Sequence, residues 1–129
     1  MTLPHPNTSL VAALRARFPE EATLTDHWLR ERGWDPADEN TALSWVEAFA
    51  DRTNEAVRRR DAEGVRAQTG FIAAAYRANP DALRVIVDVS YAENLLRECG
   101  AQDKRWAWRW IAADIRQLFV EMRGDPAVG

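Results

Sequence analysis

Histidine, cysteine and paired acids carry most side-chain chemistry, and this chain offers few of them. His5 lies in a proline-rich N-terminal end, and His27 stands in the second helical segment without a second histidine at metal-ligand spacing. Cys99 is the single cysteine, which excludes an internal disulfide and a cysteine-based zinc framework. Placed at a helix C-terminus, its thiolate is disfavoured by the dipole, so it reads as a small, partly buried hydrophobe. Glu93 is the acid that stands out. In a helix over residues 81–99 it falls among Ala82, Ile86 and Val89, where a carboxylate must be paired or titrate high. Arg97, one turn on, or an arginine of another helix is the predicted partner. The rival reading makes Glu93 the centre of a small ligand-binding or hydrolase pocket with Tyr91 or Tyr76, although no second acid or base is visible beside it.

Two further constellations point to binding. Lys104 to Trp110, KRWAWRW, holds three of the six tryptophans. Trp108 aligns with Ile111, Ile115 and Met122 and is expected in the core, whereas Trp106 and Trp110 sit one turn apart on the opposite face. Either another part of the chain covers that pair or it is an interface, because paired tryptophans dominate contacts where proteins meet. The second constellation is an acidic ridge of Glu47, Asp51 and Glu55 at four-residue steps, preceded by Asp35, Asp38 and Glu39. Arg58-Arg59-Arg60 is the only basic run. Together with Lys104 to Arg109 it defines a DNA-contacting alternative, but the run lacks interleaved aromatics and Glu55 can pair with Arg59, which favours a solvated helix end.

These residues must be positioned by helices. The most continuously apolar stretch, Asp81 to Cys99, is predicted as the central helix, started by Asn79-Pro80-Asp81 and ended by Gly100 in the left-handed position. Ala82, Val85, Ile86, Val89, Ala92 and Leu96 would share its main face. Before it, residues 1–6 read as a loose end. A first helix from Asn7, Thr8 or Ser9 buries Leu10, Leu14 and Phe18, and Pro19 opens a second that ends before Gly33 with Leu24 and Trp28 as its inner pair. After the loop Trp34 to Asn40, Asn40 or Thr41 caps a third helix reaching about Arg60. Ala42, Leu43, Trp45, Val46, Phe49, Ala50, Thr53, Ala56 and Val57 fill half its wheel. Asp61 caps a fourth helix over about residues 62–78, lined by Val65, Ile72 and Tyr76. Gln102 or Asp103 opens a sixth, running unbroken to Gly124 with Ile111, Ile115, Leu118, Phe119 and Met122 inside.

The 129 residues are expected to form a single all-α domain of about six helices. Four C-terminal helices would make an antiparallel bundle with the two N-terminal ones packed across it. A net charge of -3 argues against a general nucleic-acid binder. The N-terminus lacks the basic and apolar regions of a signal peptide and no run approaches a membrane span, so a cytoplasmic location is expected, with no membrane and no cofactor. A single lysine among many arginines suggests a bacterium with a GC-rich genome.

From Ser44 to Arg97 the chain resembles an uncharacterised family of small, all-helical bacterial proteins, some of which look like immunity proteins. Phe71-Ile72 after a long helix, Asn79-Pro80-Asp81, and Val87 to Leu95 with Glu93 and Leu95 carry the resemblance. The family often has an acid just after the position of Ile72, where this chain has Ala73. The resemblance implies a binder that neutralises a protein partner, such as a toxin or other basic protein. The acidic ridge would steer that partner and Trp106 and Trp110 would anchor it, or one of the two surfaces would serve a homodimer.

Overall fold

The computed structural model describes residues 5–124, which are all-α, with no strand among them. Seven α-helices follow in chain order: α1 Pro6–Arg17, α2 Pro19–Glu31, α3 Ala42–Arg58, α4 Ala62–Ala78, α5 Pro80–Val85, α6 Ala101–Trp108 and α7 Ala113–Arg123. The expected loose end falls partly outside the described residues; of its last two residues Pro6 opens α1 and His5 precedes it as the cap. His5 caps that helix by accepting the Asn7 N–H through Nδ1 at 3.1 Å, and Pro6 fills the first position, where no donor is needed.

The hub of the fold is α3, not the apolar stretch after Pro80. It touches α1, α2, α4, α6 and the segment following α5, and it buries Trp45, Val46, Phe49, Ala56 and Val57 completely. Leu43 alone leaves its expected stripe and is exposed. Arg59 to Asp61 joins α3 to α4, a connection so short that the two run antiparallel. Asp61 caps α4 as the sequence indicates, accepting the Gly64 N–H at 2.9 Å.

Residues 81–99 do not form one helix. After α5 the turns widen into a π-helical stretch, Ile86–Tyr91, then tighten into a 3-10 turn, Ala92–Asn94, and the chain leaves helical geometry at Leu95. Widening rotates the apolar face, so Leu83, Ile86, Val87, Tyr91 and Leu95 are buried while Ala82, Val85 and Val89 are exposed. Gly100 has a φ of -73° and caps α6; the left-handed positions are Leu96 at 63° and Glu98 at 61°. A buried side chain holds this turn. Asn54 of α3, fully buried, accepts the Leu96 N–H at 2.7 Å and donates to the Asn94 carbonyl at 3.0 Å.

The predicted sixth helix is likewise two. The Thr69 hydroxyl of α4 accepts the Ala112 N–H at 3.0 Å, drawing that residue into extended geometry between α6 and α7. The break leaves Met122 39% exposed rather than buried, while Trp108 stays half-buried with its ring against Phe119 at 5.6 Å.

Candidate functional site

Trp106 and Trp110 stand together on α6 and the turn that follows it, with ring centroids 6.4 Å apart, and both are half-buried against the core edge. Among the described residues they meet the end of α3 and the start of α4. The Arg60 guanidinium lies 5.1 Å from the Trp106 ring and bonds Asp103 at 2.6 Å, while Arg109 lies 5.7 Å from the Trp110 ring. The Arg60 hydrogen bond holds the Asp103 carboxyl below the ordinary carboxylate range, against the opposing effect of burial. Beside Trp110 opens a hollow of about 530 Å³ lined by Ala62, Glu63, Arg66, Ala67 and Trp110, and the indole N–H of Trp110 is buried with no acceptor among the described residues. Arg58 to Arg60 and Lys104 to Arg109, far apart in sequence, therefore meet at one end of the molecule. The nearby Cys99 thiol is pushed up by burial, with Arg58 at 4.0 Å opposing.

The acidic ridge is largely neutralised from within the chain. Arg97, presented between Leu96 and Glu98, bonds both carboxylate oxygens of Asp51 at 3.3 and 3.2 Å and approaches Glu47 at 3.9 Å. Glu55 takes Arg52 at 3.2 Å, not Arg59.

Glu93 does not pair with Arg97. It is half-buried with no ion pair or side-chain hydrogen bond among the described residues. Tyr91 is fully buried and its hydroxyl meets Thr53 at 2.8 Å, and Thr53 in turn donates to Gln68 at 2.6 Å. Burial pushes the Tyr91 phenol well above its ordinary range. Tyr76 accepts from Arg84 at 3.3 Å on the surface. The three residues of the pocket alternative thus have separate surroundings, one of them a sealed core network.

The surface that sequence reasoning missed is the outer face of α2. Leu24, expected inside, points outward, and Trp28 is only half-buried at the core edge, because the buried row is Ala22, Thr25 and Leu29. Leu24 is 50% and Trp34 44% exposed, and half-buried Trp28 joins them, its ring 6.1 Å from that of Trp34 and carrying the Arg32 guanidinium at 3.6 Å. Glu20 and Glu31 lie one turn before Leu24 and after Trp28, with Glu31 bonded to His27 at 2.9 Å. Residues 19–39 hold seven acids against two arginines. The signal was present in the spacing of Leu29 from Ala22 and Thr25, but Leu24 and Trp28 are the larger pair and mask it. Behind this face, Asp26 binds Arg15 and accepts the Trp45 indole N–H at 2.8 Å, while Arg15 also donates to the Pro36 carbonyl at 2.9 Å and so holds the acidic loop against α1. Burial alone would push the Asp26 carboxyl up, but the hydrogen bonds from Arg15 and Trp45 outweigh it and the net shift is downward.

A third concavity, a groove of about 700 Å³ between α1, α4 and α5, is lined mainly by Pro6, Leu10, Ala13, Phe71, Ala75 and Leu83. No helix of the described residues is long and apolar enough to cross a membrane. No curated protein and no solved structure matches the chain. The model of a family described as a domain of unknown function, DUF7674, matches residues 11–124, which span both aromatic faces, and the chain belongs to that family.

Proposed function

We propose that the chain is a protein-interaction domain that acts by binding, without a reaction of its own, and that it docks a basic partner on the outer face of α2. The observation that carries this reading is the pair of exposed side chains Leu24 and Trp34, bridged by half-buried Trp28, within a stretch that holds seven acids against two arginines. Aromatic anchors supply affinity on desolvation, and the surrounding carboxylates speed the encounter with a cationic surface. Our specific form is immunity-type or antitoxin-like, in which occupying the partner's surface neutralises it. The resemblance over Ser44 to Arg97 supports that form. Relative to the sequence reading, the acidic steering residues Asp35, Asp38 and Glu39 keep their role, while the anchors move from Trp106 and Trp110 to α2 and its loop.

Trp34→Ala should weaken the complex by about 2 kcal/mol, roughly thirtyfold, without loss of fold, because the side chain is exposed. Affinity capture from a lysate of the source cells, repeated with Leu24→Ala/Trp34→Ala and with Glu47→Lys/Asp51→Lys, tests this. The first variant should lose the partner and the second keep it; capture unaffected by the first contradicts the assignment.

A further inference from the structure

We propose that the opposite end of the molecule, the Trp106 and Trp110 face, is a second docking surface and takes an acidic segment of a protein. It is independent of the α2 reading and rests on different residues. Residues 58–67 and 99–112, which meet there, hold seven cations against three acids, in a chain whose net charge is -3. One of those acids, Asp103, is already bound by Arg60. Arg66 and Arg109 are exposed and have no ion pair among the described residues, and they flank Trp110 from α4 and from the turn after α6. Charge complementarity therefore selects an anion.

Two observations favour a carboxylate-rich protein segment over a nucleic acid. Arg60 lies over the Trp106 ring and Arg109 beside the Trp110 ring, so a stacking base would have to compete with these guanidiniums, whereas Arg109, which has no ion pair among the described residues, still offers its N–H fork to a carboxylate. The acidic remainder of the chain would also repel a long polyanion, but a short acidic segment touches the basic end alone. Glu63 is the opposing charge in the hollow and limits the affinity.

The test is fluorescence anisotropy of a labelled Asp/Glu-rich peptide with the full chain, beside a labelled oligothymidylate and an Arg/Lys-rich peptide, each at rising salt. The acidic peptide should bind in a salt-sensitive way. Its affinity should fall about tenfold or more in Arg66→Glu/Arg109→Glu, fall less in Arg66→Gln/Arg109→Gln, and rise in Glu63→Gln. Trp34→Ala should leave it unchanged and weaken only the basic peptide, so the two surfaces fail or succeed separately. Three results overturn the proposal: no binding of the acidic peptide to the folded wild-type chain, tighter binding of oligothymidylate through the same arginines, or self-association of the chain that the Arg66→Gln/Arg109→Gln variant abolishes, which would make a second copy the occupant.

Discussion

Asn54 does more for this fold than its polarity suggests, because one buried amide satisfies both a donor and an acceptor of a turn with two left-handed residues. Asn54→Ala would strand the Leu96 N–H and the Asn94 carbonyl, at a cost of about 3 kcal/mol measured by urea unfolding. A loss below the cost of one unpaired buried group would show that the turn holds itself. Asp26 makes a pH-dependent contribution. Its folded carboxyl sits below the ordinary value of 3.8, so its stabilisation is complete above that value and disappears as pH falls through the lower folded one. Asp26→Asn should lower stability at neutral pH and flatten the acid limb of the stability curve; an unaltered limb would mean the ion pair is energetically silent. Neither residue is conspicuous in the sequence. An asparagine and an aspartate inside helical patterns read as outward-facing until the chain that bonds them is placed.

At the scale of elements, the boundaries at prolines and at one cap were legible, while the other caps and the breaks in the long helices were not. Pro19, Asp61 and Asn79-Pro80 mark boundaries because they act on neighbouring backbone groups, and α2, α4 and α5 begin where they indicate. The divisions of residues 81–99 and 101–123 have tertiary causes, Asn54 reaching the turn at Leu96 and Thr69 reaching Ala112, which no local pattern records. The same misplacement put Glu93 beside Arg97 in expectation and separated them in fact. Glu98 carries a positive φ with an exposed side chain, so Glu98→Gly should raise stability by about 1 kcal/mol by relieving backbone strain. Thermal unfolding checks this, and a lowered midpoint would mean that the turn is held open by contacts of the Glu98 side chain.

For the whole molecule, charge and aromatic residues are arranged in two opposed groups about α3: acids with Leu24, Trp28 and Trp34 at the α2 side, arginines with Trp106 and Trp110 where α4 and α6 begin and end. The all-α class was readable in the sequence, as were the two basic runs and the acids of the loop before α3, since composition and helical period determine them. Which tryptophans face water was not, because exposure depends on how each helix is rotated against its neighbours. On our proposal a basic partner sits on the acidic α2 face. Hydroxyl-radical footprinting of the chain, free and in the captured complex, reads it most directly. Oxidation of Trp34 should fall several-fold on binding, since its exposed ring would become an interface core. An intact complex in which Trp34 is oxidised as fast as in the free chain would contradict the account.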